Sequence, residues 1–218
     1  MIRVVLADDQ ALLRATFRML LDSASDIEVV GEASTGAEAI DVCREHGPDV
    51  VVMDLRMPAM DGVEATKVIA ADESLASTRV LVLTTFETEE LVLAALHAGA
   101  SGFLGKGVQP AELLAGIRAV ASGEQLLSPA ATAALIARVV EGGAARSRRD
   151  VPGIDQLTER EREIVTLVAK GMSNNEIAGV LFISPSTAKT HVNRAMMKVS
   201  ARDRAQLVVF AFEAGLAG

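Results

Sequence analysis

The 218 residues are half apolar and carry a formal net charge of −8, which excludes a disordered chain and fits one large or two modest globular domains. The charge is uneven: residues 1–122 hold about −10 and the remainder about +2. An acidic front half thus precedes a back half that can approach an anionic partner only through well-placed Arg and Lys.

The elements alternate at first. Ile2–Ala7 is an apolar β-branched run that predicts a buried strand, and it ends on Asp8-Asp9. Leu12, Leu13, Phe17, Leu20 and Leu21 then recur at helical spacing. Glu28–Ala33 predicts a second strand, and Gly36 to about Glu45 a helix stopped by Gly47-Pro48. A third strand runs from Asp49 to Leu55 through Asp54, and a loop with Pro58 and Asp61-Gly62 leads into a helix near Val63–Ala71. Val80–Leu83 predicts a fourth strand that delivers Thr84, followed by a helix from about Thr88 to His97 with Gly99 as its stop. Ser101–Gly105 predicts a fifth strand that delivers Lys106, before a helix from about Pro110 to Ala121. Five such units predict an α/β domain with a five-stranded, doubly wound parallel sheet.

Residues 123–153 differ. Ser128-Pro129 starts an alanine-rich stretch of helical character to about Val140, and Gly142–Arg149 is small and basic, so the whole reads as a helical and flexible linker. From about Ile154 the pattern is all-helical. Thr158 and Glu161 form a capping box for a helix to Gly171, and Ser173 and Glu176 repeat it for a short helix to about Phe182. Ser184-Pro185 starts a third helix to about Val199, and a fourth runs from near Asp203 to Gly215. Two short helices, a tight turn and a longer helix describe a helix-turn-helix within a small four-helix domain.

In a parallel sheet the carboxyl ends of the strands gather at one edge. Asp8, Asp9 and Asp54 would repel each other there, a divalent cation relieves the repulsion, and oxygen-only ligands select Mg²⁺. Asp54, alone at a central strand end, is the best nucleophile; Asp8 and Asp9 suit the metal; Thr84 and Lys106 offer a hydroxyl and an ammonium to phosphoryl oxygens. Order, spacing and strand context resemble the receiver domain of two-component response regulators over residues 1 to about 122. The resemblance implies a flavodoxin-like fold and phosphoryl transfer to Asp54 from a sensor histidine kinase. It further implies a metal ligand in the backbone carbonyl of Arg56 and a switch aromatic in Phe103. Arg56 and Phe86, two residues past Asp54 and Thr84, match positions that tune acyl-phosphate hydrolysis, and Phe86 is expected to shield the acyl phosphate from water. Gly107 departs from the Pro or acid that often follows the Lys and implies a looser loop.

The tail, residues 154–218, resembles the LuxR-type helix-turn-helix of the NarL/FixJ subfamily through Leu157–Glu161, Ser173–Ala178 and Ile183–Val192, with Ala188 where Val is usual. At about 100° per residue, Ala188, Val192, Ala195 and Val199 share the core side of the third helix. Ser186, Lys189, Thr190 and Asn193 share another side, suited to base edges in the major groove, while Arg194 is better aimed at phosphate. Thr158, Arg160 and Thr187 are candidates for further contacts to the DNA backbone. Leu207, Val208, Phe210 and Ala211 give the last helix more apolar surface than a three-helix core needs. The resemblance assigns that surface to a homodimer on pseudo-palindromic double-stranded DNA.

The combined expectation is a cytoplasmic, phosphorylation-controlled transcriptional regulator that is not an enzyme. Cys43 is the lone cysteine, which fits a reducing compartment. No apolar signal core opens the chain, and no stretch approaches the ~18 apolar residues of a membrane span. The lack of Trp and Tyr argues against single-strand nucleic-acid binding by base stacking. Two other readings stand beside it. One is a DNA-binding protein whose front half dimerises or senses a ligand without phosphorylation. The other is an aspartate-nucleophile phosphohydrolase, which needs a second acid where this chain has Arg56 and a cap domain that no segment supplies.

Overall fold

A computed structural model of the chain describes residues 1–85, 88–123, 126–127 and 151–216. It divides into two compact units, Met1–Ala131 and Thr132–Gly218.

The first unit runs β1 (Ile2–Ala7), α1 (Ala11–Asp22), β2 (Ile27–Ala33), α2 (Gly36–His46), β3 (Val50–Met53), α3 (Gly62–Ala71), β4 (Arg79–Thr84), α4 (Glu89–Ala98), β5 (Gly102–Gly105), α5 (Pro110–Ala121) and β6 (Leu126–Leu127). The strands are all parallel in the order β2-β1-β3-β4-β5-β6. The five expected strands are present. The two-residue β6 is an addition: it pairs with Gly102 and Phe103, so Leu126 and Leu127 extend the sheet rather than begin the linker expected from residue 123. The expected helix over Ser128–Val140, the basic stretch after it and Phe86 lie outside the described residues.

Both faces of the sheet are covered, which is why its strands are apolar throughout. Val4, Leu6, Val50, Val52, Leu81 and Leu83 form one cluster with Leu21 of α1 and Leu113, Ile117 and Val120 of α5. Their alternates Val5, Val51, Val82 and Phe103 are equally buried. Helical spacing in α1 overstated its core: Leu21 is buried but Leu12 is 82% exposed, because only one face of the helix meets the sheet.

Helix ends follow the side chains that precede them. Thr35 accepts from Glu38 N at the start of α2, and Asp61 accepts from Glu64 N at the start of α3. Gly47 and Gly99 close α2 and α4 in the left-handed conformation. Gly62 is needed for a different reason. Its N–H donates to Leu55 O at 2.9 Å, and a Cβ there would sit 2.0 Å from the Asp54 carbonyl oxygen and 2.8 Å from Leu55 Cα. Backbone at the end of a central strand cannot step aside. Gly62→Ala is therefore expected to cost about 2 kcal/mol of stability, visible as a lower urea midpoint at unchanged slope; an unchanged midpoint contradicts the close approach.

The second unit contains a short 3₁₀ turn (Ile154–Gln156) and four helices among the described residues: α6 (Glu159–Ala169), α7 (Asn174–Leu181), α8 (Pro185–Lys198) and α9 (Arg204–Glu213). Capping boxes Thr158–Glu161 and Ser173–Glu176 start α6 and α7, and Ser184 with Pro185 starts α8. Ile164, Val165, Val168, Ile177, Ala188, Val192 and Ala195 are buried, as are Leu207, Val208, Phe210 and Ala211 of α9.

Candidate functional site

The parallel ladder carries its register past the strand ends and so aligns the residues that follow. Asp54 N donates to Ala7 O at 2.8 Å, Asp8 N to Ala33 O at 3.1 Å and Lys106 N to Thr84 O at 2.8 Å. Asp8, Asp54, Thr84 and Lys106 thereby stand at the carboxyl ends of β1, β3, β4 and β5.

Each of the two buried acids divides its oxygens. Asp8 Oδ1 accepts from Gln10 N at 2.9 Å, and Asp54 Oδ1 accepts from Leu55 N at 2.8 Å. Their Oδ2 atoms converge on one ammonium: Lys106 Nζ lies 2.7 Å from Asp8 and 2.9 Å from Asp54. All three side chains are 5–7% exposed. Burial opposes the charge on Lys106, but the hydrogen bonds to Asp54 and Asp8 and their negative charge prevail and hold its pKa above the ordinary value. A lysine stabilised in this way contributes fully below its ordinary pKa and loses that contribution only as pH rises through the raised one, so the ammonium is intact at neutral pH.

Asp9 is exposed beside this pair, and Asp8, Asp9 and Asp54 each present one oxygen within 4.8 Å of the others. That all-oxygen set could hold a hard divalent cation. Arg14 braces it from α1, donating to Asp8 O at 2.6 Å and to Glu32 at 3.1 Å. Thr84 and Phe103 are fully buried, and Arg56 is exposed on the loop after β3. An open groove of about 550 Å³ adjoins the cluster, with Asp9, Arg56 and Asp61 at its charged positions and Leu55, Met57, Pro58, Val63 and Leu91 as its apolar wall.

In the second unit, Ser186, Thr187, Lys189, Thr190, Asn193 and Arg194 are all exposed on α8, opposite buried Ala188, Val192 and Ala195; Val199 is half-buried. Thr190 Oγ1 donates back to Ser186 O at 2.9 Å. Thr187 Oγ1 shares a hydrogen bond with Ser184 Oγ at 2.7 Å. Arg160 is half-buried and donates to Glu163 at 2.7 Å and to Leu181 O at 3.1 Å, at the end of α7. One expectation needs correction. Leu207, Val208, Phe210 and Ala211 are at most 7% exposed, because α9 packs this face on α6 and α8. They form the core of this unit and offer no free surface to a second copy.

Two anchors depend on contacts of Lys198 and Arg204 that were not anticipated from sequence. Glu161 Oε2 accepts from Thr158 N, Thr158 Oγ1 and Lys198 Nζ at 2.8, 2.9 and 2.6 Å, which ties the first turn of α6 to the last of α8. Arg204, 8% exposed, donates to Asn174 Oδ1 at 3.0 Å and to Met172 O, which fixes the turn between α6 and α7. The capping box signalled Glu161; the Lys198 and Arg204 contacts span 37 and about 30 residues and have no local signal.

Comparison with known proteins assigns each unit to a family. The family model described as the response regulator receiver domain matches residues 4–118, and that of bacterial regulatory proteins of the luxR family matches residues 155–211. The transcriptional regulatory protein YxjL of Bacillus subtilis (strain 168) is 40% identical, over 99% of this chain and 97% of its own. LiaR of the same organism, also a transcriptional regulatory protein, is 39% identical over 97% of both chains. The crystal structure of the response regulator ChrA of a heme-sensing two-component system is 36% identical and superposes with a TM-score of 0.53 over 99% of this chain and 98% of that one.

Proposed function

This chain belongs to the response regulators that join a receiver domain to a LuxR-type DNA-binding domain and act as transcriptional regulators, and from that premise we propose that Asp54 is its phosphoacceptor. The observation that carries this is the ammonium of Lys106 held between Asp54 and Asp8 at the strand ends. It sets a positive charge against the nucleophile and stands ready to pair with the phosphoryl oxygens.

A sensor histidine kinase is the donor. An Asp54 oxygen attacks phosphorus of the kinase phosphohistidine, the P–N bond breaks, and the imidazole leaves with the bonding electron pair and takes up a proton. The groove beside Asp9 gives the donor a route to the cluster. Asp8, Asp9, Asp54 and the carbonyl of Arg56 would hold Mg²⁺, which supplies neutralising charge between carboxylate and phosphoryl group. Thr84 and Lys106 bind the phosphoryl oxygens, and Phe103 responds to the movement of Thr84. Where an aspartate-nucleophile phosphohydrolase needs its general acid this chain has Arg56, which favours a stoichiometric acceptor over an enzyme that turns over phosphoesters.

Phosphorylation favours the DNA-binding state, in which two copies bind a pseudo-palindrome. The domains are 1–122, extended by β6, and 154–218, with the linker between. Ser186, Lys189, Thr190 and Asn193 read bases; Arg194, Thr187 and Arg160 contact phosphate, Arg160 while also bonded to the end of α7. The twofold contact falls to the outer face of α9, where Gln206, Val209 and Phe212 are half-buried. The site of action is the cytoplasm; among the described residues no helix is long and apolar enough to cross a membrane.

The test is intact-mass measurement after treatment with Mg²⁺ and a small phosphodonor, followed by mapping of the modified residue. One added phosphoryl group on Asp54 is the expected result, and an unmodified Asp54 overturns the proposal. Chelation of divalent cations is expected to bring incorporation to background and added Mg²⁺ to restore it; incorporation that ignores the chelator removes the metal from the account.

A further inference from the structure

Methionine 197 is out of place by the rules that arrange the rest of α8. With Ser186 set at 0° and about 100° per residue, Ala195, Ala188 and Val192 fall at about 180°, 200° and 240°, the side packed on the unit's core. Lys189, Asn193 and Thr190 fall at about −60°, −20° and +40°. Met197 falls at about +20°, the middle of that polar arc, and is 72% exposed. A long apolar side chain thus occupies the centre of the face assigned to DNA, one turn beyond Asn193 and Arg194.

We infer that Met197 is a specificity-determining residue that contacts the 5-methyl group of a thymine in the major groove. The inference rests on the assignment of this α8 face to DNA. Position along the helix sets the reach. Met197 lies eleven residues after Ser186, about 16 Å along the axis, or roughly five base-pair rises. It therefore meets a different base pair from the residues of the first turn. The chemistry narrows the ligand. A thioether donates no hydrogen bond and is a poor acceptor, so of the groups displayed in the major groove it matches the thymine methyl, the only apolar one. Thr190 supports the same kind of contact about two turns earlier on the same face: its hydroxyl is engaged by Ser186 O, which leaves its methyl group for the groove. Lys198, the next residue, is tied to Glu161, so the last turn of α8 presents Met197 on an anchored backbone.

The test uses the full chain treated with phosphodonor and a duplex enriched from random sequence by the wild type. Each thymine of the half-site is replaced in turn by uracil, which removes one methyl group and nothing else. The wild type is expected to lose about fourfold in affinity at one symmetry-related position beyond those sensitive to Lys189→Ala and Asn193→Ala. Met197→Ala and Met197→Gln are expected to bind the parent duplex as weakly as the uracil duplex and to show no further loss on it. A uracil profile that is the same for wild type and both variants overturns the inference, as does a wild-type profile with no sensitive position. If Lys189→Ala and Asn193→Ala also leave affinity unchanged, the assignment of the face itself fails; if they weaken binding while the Met197 variants match the wild type, only Met197 is excluded.

Discussion

Asp54→Asn is expected to leave the receiver folded but unable to hold phosphate. The substitution keeps the side-chain shape, the Asn carbonyl oxygen can still accept from Leu55 N or Lys106 Nζ, and Lys106 keeps its partner Asp8 at 2.7 Å. What is lost is the nucleophile, because a neutral amide does not form the acyl phosphate. Phosphoryl incorporation is expected to fall to background. Phosphodonor is expected to raise the DNA affinity of the wild type by roughly 5–150-fold, the usual range for coupled sites, and to leave that of Asp54→Asn unchanged. Lys106→Met separates charge from chemistry. It leaves Asp8 and Asp54, both about 5% exposed, without their buried cation, an arrangement that costs about 3 kcal/mol or more. The metal-free variant should therefore unfold at lower denaturant than wild type, and divalent cation should recover more of its stability than it adds to the wild type. Equal stability of Lys106→Met and wild type would show that the ammonium is incidental to the acid pair. An Asp54→Asn protein that still takes up phosphate would move the acceptor elsewhere.

The strand-end residues were legible because a parallel sheet leaves them few places to go. Once Ile2–Ala7, Val50–Met53, Arg79–Thr84 and Gly102–Gly105 are buried parallel strands, Asp8, Asp54, Thr84 and Lys106 must share an edge. What the pattern did not show is which atoms meet: that one ammonium serves both acids is a matter of Å, not of periodicity. Leu126–Leu127 was missed since two apolar residues carry no period. The last helix was misjudged by counting its apolar residues. Leu207, Ala211, Val208 and Phe210 project within an arc of about 160° at 100° per residue, the width of a single core-facing side, and that projection gives the burial the structure shows. The bond from Arg160 to the carbonyl of Leu181 was not legible either, because it spans two helices and follows no local pattern.

The second half depends on a contact of the same kind, one carboxylate oxygen with three donors. Glu161→Ala removes the carboxylate half of the capping box and the partner of Lys198, while the backbone N–H of residue 161 can still donate to Thr158 Oγ1. Burial works against the carboxylate of Glu161, but Lys198 and the Thr158 donors overcome it and hold its pKa down to about 2 from 4.5. The sign follows directly: a depressed carboxyl stabilises the fold fully above pH 4.5 and loses that contribution as pH falls toward about 2. Lys198 keeps a third of its side-chain surface in water, so solvent screens part of the attraction, and the loss in Glu161→Ala is about 2 kcal/mol at neutral pH. For a unit of this size that lowers the midpoint of thermal unfolding by about 10 °C. Wild type and Glu161→Gln should then converge in stability between pH 4.5 and 2, since only one has a proton to gain there. Lys198→Met should reproduce part of the loss at neutral pH and little of it in acid. Because the pair joins the first turn of α6 to the last turn of α8, both variants should also bind specific DNA less tightly below their melting temperatures, with non-specific binding reduced less. Thermal midpoints that match wild type across pH 2–7 would show that the bond contributes nothing to the fold, and an unchanged ratio of specific to non-specific affinity would show that α8 keeps its pose without it.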